Sequence, residues 1–204
     1  FFWVMGYSVP SQVFSRCIAG GNGVKQLQHG LEGFMAYGIP ATKLVLGMSW
    51  GGASWECTNF VGDTGLDYCE PPMETSLAGY RGVNCTDAVS DACGNLDNCW
   101  ERLTAPNTVY HGWDDYTKLP YFNYVTPLNG SDTKLYQVWY ESPESIGHKV
   151  TLAKNMGVGG VGPWEFGKLN WTKPEQVYDV WSQFCKFFDC DEYAECSDGS
   201  CHKS

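Results

Sequence analysis

Residues 43–50 of the 204-residue chain, KLVLGMSW, form a short apolar run that is typical of a strand buried on both faces of a sheet. Residues 1–7, FFWVMGY, form a second run of the same kind. Between the two runs, residues 24–37 carry apolar side chains at helical spacing, and Gly38 and Pro40 follow as a stop signal. The order strand–helix–strand predicts two parallel strands joined by a helical crossover.

The segment that follows residue 134 repeats this order of elements. Residues 135–140, LYQVWY, predict a strand, and Ser142 followed by a proline predicts the start of a helix that ends near Met156. Residues 159–164, GGVGPW, predict another strand, and apolar residues at helical spacing from residue 174 onward predict a last helix. This alternation is typical of an α/β protein with a parallel sheet.

Two segments interrupt or follow the alternation. Residues 51–134 hold no long periodic segment, so we predict an irregular, disulfide-pinned insertion that contains small strands or turns. Residues 185–204 predict a separate, short Cys-rich tail. The chain has ten cysteines, an even number, and no two have the CxxC spacing of zinc or redox sites. Such a pattern indicates disulfides formed in an oxidising compartment.

Charge and residue spacing exclude several classes of function. A net charge of −10 excludes a basic surface for nucleic acid, and no apolar run is long enough for a membrane span. The histidines lack metal-ligand spacing, so we expect no metal site and no cofactor; they are His29, His111, His148 and His202. Three sequons predict glycosylation and hence the secretory pathway: Asn84, Asn129 and Asn170. A strand that begins at residue 1 leads us to expect further sequence upstream.

Three segments in the same order resemble the family 18 glycoside hydrolases. WVMGYS at residues 3–8 resembles the end of the sixth strand of their (β/α)8 TIM barrel, KLVLGMSW resembles the seventh strand, and GVGGVGPWEF at residues 157–166 resembles the eighth. The resemblance implies the C-terminal half of that barrel over residues 1–184, about strands six to eight, with the insertion at about 51–134. CDEYAEC, within the tail at 185–204, resembles the start of an epidermal growth factor (EGF)-like module.

The same resemblance implies a site at the carboxyl ends of the strands, where such barrels carry their chemistry. Tyr7 would position the substrate's acetamide, and Trp164 would form the apolar floor, with a cis peptide bond to Glu165. The further implied substrate contacts are Met5, Ser8, Trp50, Tyr140, Glu141 and Glu165. For the aromatic residues the alternative is a rim or barrel-lining role, which we favour for Trp50.

Two departures from the family pattern concern catalysis. The family's general acid lies in a D-x-x-D-x-D-x-E motif that these residues do not contain, so we expect it upstream. Ser8 stands where the family has an Asp. Glu165 has the right chemistry to replace the acid, but a rim position is the interpretation we prefer.

Disulfide expectations follow in part from the same likeness. EGF-like pairing implies Cys185–Cys196 and Cys190–Cys201, and closeness in sequence suggests Cys93–Cys99. Four further cysteines are expected to form two bridges whose pairing the sequence leaves open; they are Cys17, Cys57, Cys69 and Cys85.

Three functions remain open at this point. The first is a glycosidase that cleaves β-1,4-linked N-acetylglucosamine glycans, completed by an N-terminal half of the same protein. The second is a catalytically inactive chitinase-like lectin that binds such glycans. The third is a structural extracellular glycoprotein. All three place the protein outside the cell or in a lysosomal or luminal compartment, and fold alone does not separate them.

Overall fold

The computed structural model describes most of the chain, namely residues 1–7, 23–70, 89–90, 96–128, 132–188, 196–197 and 200–201. The strands are β1 Phe2–Gly6, β2 Leu44–Ser49, β3 Ala53–Cys57, β4 Asn59–Val61, β5 Tyr68–Glu70, β6 Val89–Ser90, β7 Thr108–Asp114, β8 Leu119–Pro127, β9 Thr133–Trp139, β10 Gly160–Trp164, β11 Cys196–Ser197 and β12 Ser200–Cys201. The helices are α1 Val24–Ala36, α2 Leu96–Arg102, α3 Pro143–Asn155 and α4 Pro174–Phe188, with 3-10 turns at Ala41–Lys43 and Phe166–Lys168.

The first sheet is parallel and has the strand order β1–β2–β10. Val4 lies opposite Leu46, and Leu46 lies opposite Val161, so the three strands are in register through the middle of β2. α1 connects β1 to β2, which confirms the predicted strand–helix–strand unit. All three carboxyl ends therefore lie along one edge of the sheet, with Trp164 opposite Ser49.

One face of this sheet is covered by helices. Leu44, Leu46 and Met48 alternate along β2 and are fully buried, together with Leu31 of α1 and Val150 of α3. Burial of each such side chain contributes about 1.5–3 kcal/mol. The start of α3 is as predicted, because Ser142 caps it and accepts a hydrogen bond from the Ser145 N–H at 3.2 Å.

The insertion is more regular than the sequence suggested. β6, β3, β9, β8 and β7 form a five-stranded antiparallel sheet in that order. The strand predicted at 135–140 is observed as β9 and lies in this sheet, between β3 and β8. The predicted small strands are present, but they form a regular sheet and not an irregular segment, because their partners lie far apart in the sequence and leave little local periodicity.

Each face of the antiparallel sheet has its own small core. The β4–β5 hairpin covers one face around Trp55 and Trp139, and the disulfide Cys57–Cys69 lies in that core. α2 covers the other face, where Cys99 packs with Phe122, Val138 and Tyr140. Cys99 is also disulfide-bonded, although Cys93, its predicted partner, lies outside the described residues.

The tail begins inside a helix. α4 runs to Phe188, so Cys185 lies within α4 and not after it. In the short β11–β12 pair, Cys196 lies opposite Cys201. The pairings Cys185–Cys196 and Cys190–Cys201 remain predictions, as do the bridges of Cys17 and Cys85, which lie outside the described residues.

Candidate active site

Two of the residues predicted to form a site meet at the carboxyl edge of the parallel sheet. Tyr7 directly follows β1, and Trp164 ends β10. Their rings are stacked, with centroids 5.5 Å apart and an angle of 11° between the planes. β2 separates the two strands, so this contact exists only because both large side chains extend over the middle strand. The indole of Trp164 is 50% exposed.

A residue that was not predicted joins this pair. The indole Nε1 of Trp3 donates a hydrogen bond to the Tyr7 hydroxyl oxygen at 3.1 Å. Trp3 and Met5 lie on the face of β1 opposite Val4, which packs against the core, and they are 44% and 65% exposed. The sheet face opposite the helices therefore presents an aromatic, partly exposed surface formed by Trp3, Met5, Tyr7 and Trp164. We call this surface the open face.

The backbone around Trp164 is held from the neighbouring strand. The N–H of Trp50 donates to the Trp164 carbonyl at 2.9 Å. The peptide bond between Trp164 and Glu165 is cis, as the family resemblance implied. Glu165 itself is exposed at the start of the 3-10 turn, where its carbonyl accepts from the Lys168 N–H at 3.0 Å.

Trp50 occupies a different environment from Trp164. It is fully buried and meets Trp181 and Phe184 edge-on, with centroid distances of 5.6 and 5.9 Å. A ring enclosed in this way packs the core between the sheet and α4. Trp50, one of the implied substrate contacts for which we favoured a rim or barrel-lining role, thus has a core position and does not lie on the open face, because α4 brings two aromatic rings over it.

Tyr140 and Glu141 are also buried instead of lying on the open face. Tyr140 packs against Phe122 beside α2, and burial raises the pKa of its hydroxyl to about 12. Glu141 forms a buried ion pair with Lys149 of α3, and its Oε2 accepts from the Ser145 hydroxyl at 2.6 Å. Tyr140 thus packs in the core between the antiparallel sheet and α2, and Glu141 links the end of β9 to α3. Ser8, the remaining predicted contact, lies outside the described residues.

A second concave surface, with a volume of about 350 Å³, lies on the insertion and shares no residue with the open face. It contains a hydrogen-bond network around Asp67, whose Oδ2 accepts from the Thr64 N–H at 2.9 Å. Oδ1 accepts from the Tyr110 and Tyr121 hydroxyls, both at 3.4 Å. The bond from the Thr64 N–H is the main reason that the pKa of Asp67 is lowered, and burial raises the pKa of Tyr121. The network fastens the β4–β5 hairpin to β7 and β8.

Among the described residues, no three His, Cys, Asp or Glu side chains cluster in a way that could hold a metal ion. Nor does any described helix combine the length and the apolar character needed to cross a membrane.

The parallel sheet, the helices on one face and the separate antiparallel sheet define a protein of mixed α/β content, with an aromatic pair at the carboxyl edge of its parallel sheet. Residues 2–168 match the family described as Glycosyl hydrolases family 18. The chain belongs to this family.

Named relatives agree with this assignment. The chain is 31% identical over 188 residues to di-N-acetylchitobiase from Rattus norvegicus, a match that covers 89% of this chain and 47% of that protein. It is 31% identical over 197 residues to probable di-N-acetylchitobiase 2 from Dictyostelium discoideum, with 92% and 49% covered. The chain thus spans about half the length of the curated relatives it matches.

Solved structures show the same fold at low sequence identity. A chitinase from Rhizomucor miehei superposes with a TM-score of 0.62 at 18% identity and covers 92% of this chain and 53% of that chain. A glycoside hydrolase family 18 N-acetylglucosaminidase from Paenibacillus barengoltzii gives a TM-score of 0.59 at 16% identity, with 91% and 48% covered.

Proposed function

We propose that this chain supplies the C-terminal half of a (β/α)8 barrel, about strands six to eight, over residues 1–184 with an insertion at 51–134. The parallel order of β1, β2 and β10 and the helices on one face support this arrangement. In it, the open face becomes the barrel interior. The N-terminal half of the same protein then covers Trp3 and Met5, whose exposure is high for apolar side chains.

We further propose that the completed protein binds and hydrolyses β-1,4-linked N-acetylglucosamine glycans. Family 18 glycosidases use the substrate's own N-acetyl group in place of a second protein carboxylate. Such a mechanism needs a floor that holds the sugar and a donor that fixes the acetamide oxygen. Trp164 supplies the floor in this proposal, and the Tyr7 hydroxyl supplies the donor.

The observation that carries the proposal is the stacked pair of Tyr7 and Trp164 at the carboxyl edge of the sheet. The two rings come from strands that β2 separates, yet they share one exposed surface. Flat aromatic rings with a polar group at one end suit the faces and hydroxyls of a sugar.

Proton donation to the leaving oxygen is assigned to a glutamate in the N-terminal half. Positioned general acids contribute about 10²–10⁴-fold to the rate, so the chain alone would hydrolyse no such glycan. Glu165 is exposed beside the floor and is the alternative acid. We assign it to the rim, because its side chain is exposed at the start of the 3-10 turn and does not lie on the open face.

Replacement of Trp164 by Ala in the whole protein tests the floor. Loss of a buried ring contact is expected to weaken binding of an N-acetylglucosamine disaccharide by about 10- to 100-fold. Trp171→Ala is a matched control, because its indole is 47% exposed against 50% for Trp164. Calorimetric titration of both variants decides the assignment. Equal affinities for the two variants would contradict it.

A binding protein without catalysis is the second candidate, and Ser8 is the observation that favours it. A neutral hydroxyl at Ser8 replaces a family carboxylate beside Tyr7. A lectin would bind the disaccharide through Trp164 and leave it intact. A structural glycoprotein would bind none, and Trp164→Ala would then change stability alone.

We also propose that the protein belongs to the secretory pathway, either extracellular or lysosomal. Asn170 is the sequon residue within the described ranges, and its Oδ1 accepts from the Thr172 hydroxyl at 2.7 Å. We propose a glycan there and at Asn84 and Asn129, and an EGF-like segment over 185–204. Mass spectrometry of the non-reduced, tryptic protein tests the glycans and the tail disulfides together.

A further inference from the structure

Trp3 lies flat across the parallel sheet because two glycines leave room for it. A Cβ at Gly47 of β2 would lie 2.6 Å from Trp3 Nε1 and 2.5 Å from Cε2. A Cβ at Gly162 of β10 would lie 2.9 Å from Trp3 Cη2. The pyrrole side of the indole thus covers Gly47 and the benzene side extends toward Gly162. Any other residue at Gly47 would displace the indole.

The indole also leans toward the carboxyl edge of the sheet. Trp3 lies opposite Val45 in the strand register, whereas its ring covers Gly47, two residues nearer that edge. Side chains on strands lean along the strand direction in this way. The lean is what brings Nε1 within 3.1 Å of the Tyr7 hydroxyl oxygen, four residues further along the chain.

The direction of this hydrogen bond has a chemical consequence. An indole N–H can only donate, whereas a phenolic hydroxyl both donates and accepts. Tyr7 therefore accepts from Trp3. The O–H bond of a phenol prefers to lie in the plane of the ring, where it has two possible orientations. Because the Trp3 N–H occupies one of these directions, the hydroxyl proton of Tyr7 takes the other. Tyr7 is thereby fixed as a donor directed away from Trp3.

We propose that Trp3 is a positioning residue that holds the Tyr7 hydroxyl as a donor to the N-acetyl oxygen of a bound sugar. This inference rests on the proposed function, since it assumes that an acetamide binds beside Trp164. Selectivity for acetylated over de-N-acetylated sugars then depends on Trp3, which lies four residues before Tyr7 on β1. Trp3 itself touches no reacting atom.

Trp3→Phe is the direct test, because a phenyl ring fits over the glycines but has no N–H. We expect this variant of the whole protein to bind the N-acetylglucosamine disaccharide about three- to tenfold more weakly, the range for one neutral hydrogen bond. Binding of the de-N-acetylated disaccharide is expected to be unchanged. An equal loss for both sugars, or no loss for either, would overturn the positioning role.

A second measurement tests the hydrogen bond without any ligand. Tyr7→Phe removes the acceptor and is expected to shift the indole N–H resonance of Trp3 in a proton–nitrogen NMR spectrum. A resonance that does not respond overturns the positioning role by itself. If the unmodified protein does not prefer the acetylated sugar, both the proposed function and the acceptor named for Tyr7 are wrong, whatever the indole resonance shows.

Discussion

Removal of the Lys149 ammonium by Lys149→Met is expected to destabilise the protein strongly. The Lys149 side chain is fully buried, and its partner Glu141 is 5% exposed. Methionine has a similar length and no charge, so the substitution leaves the packing of α3 largely intact. It leaves Glu141 as a buried carboxylate with the hydroxyl of Ser145 as its hydrogen-bond donor.

The size of the effect follows from burial. Breaking a buried ion pair by removal of one partner typically costs about 3–5 kcal/mol, because the remaining charge is uncompensated. We therefore expect the free energy of unfolding to fall by about 3–5 kcal/mol. The position of the ion pair also contributes to the expected loss of stability, because Glu141 lies between β9 and α3 and joins the two elements.

The double variant Glu141→Leu/Lys149→Met separates charge from shape. It removes both charges, and replacement of a buried pair by apolar residues is often neutral or stabilising. Ser145 keeps hydrogen bonds, since its hydroxyl proton can turn to the Ser142 carbonyl 3.0 Å away and its oxygen accepts from the Ser142 N–H at 2.8 Å. We expect the double variant to regain most of the lost stability and to bind sugar like the parent.

Urea unfolding of the whole protein at neutral pH, followed by circular dichroism, measures all three proteins. A loss of less than about 1 kcal/mol for Lys149→Met would refute the reasoning. So would a double variant as unstable as the single one. Weaker sugar binding by a stably folded double variant would instead return Glu141 to the list of sugar contacts.

Two further predictions concern the insertion. Because the pKa of Asp67 is lowered in the folded state, its carboxylate stabilises the fold above the unfolded pKa of about 3.9, and this contribution is lost as pH falls through the lower folded pKa. Asp67→Asn should thus be less stable than the parent at pH 7 and should lose less stability on acidification. Thermal unfolding measured from pH 7 to pH 2, with Asp63→Asn as the control, tests this expectation. Equal acid sensitivity of Asp67→Asn and the parent would contradict it. Replacement of both Cys57 and Cys69 by Ala should lower stability by about 2–4 kcal/mol, as for other short disulfide loops, and an unchanged melting temperature would contradict that value.

The parallel sheet could be predicted because its signals are local. KLVLGMSW and FFWVMGY are apolar runs, and a strand–helix–strand order nearly always folds as two parallel strands joined by a right-handed helical crossover. The helix start at Ser142 was likewise visible, since a cap needs only adjacent residues. Tyr7 and Trp164 were singled out by the family resemblance, and their contact is possible because residues that end parallel strands lie on one edge of the sheet.

What the sequence did not reveal depends on residues far apart. Trp50 and Trp164 both lie at the end of a strand, yet one is buried and the other half-exposed. The difference arises from Trp181 and Phe184 on α4, more than 120 residues after Trp50. The sequence favoured a rim or barrel-lining role for Trp50, but local patterns could not show that its ring packs against α4.

One missed residue did leave a signal in the sequence. Gly47 interrupts a strand of large apolar residues, and Gly162 lies between Val161 and Pro163 in the glycine-rich β10. Glycine weakens a strand interior, so its presence marks a place where another group approaches the backbone closely. The two glycines lie opposite each other in register, and the only β1 side chains on that face are Trp3 and Met5. An indole is the flat group that fits such a space, and so Trp3 could have been inferred as part of the site from the glycines that make room for it.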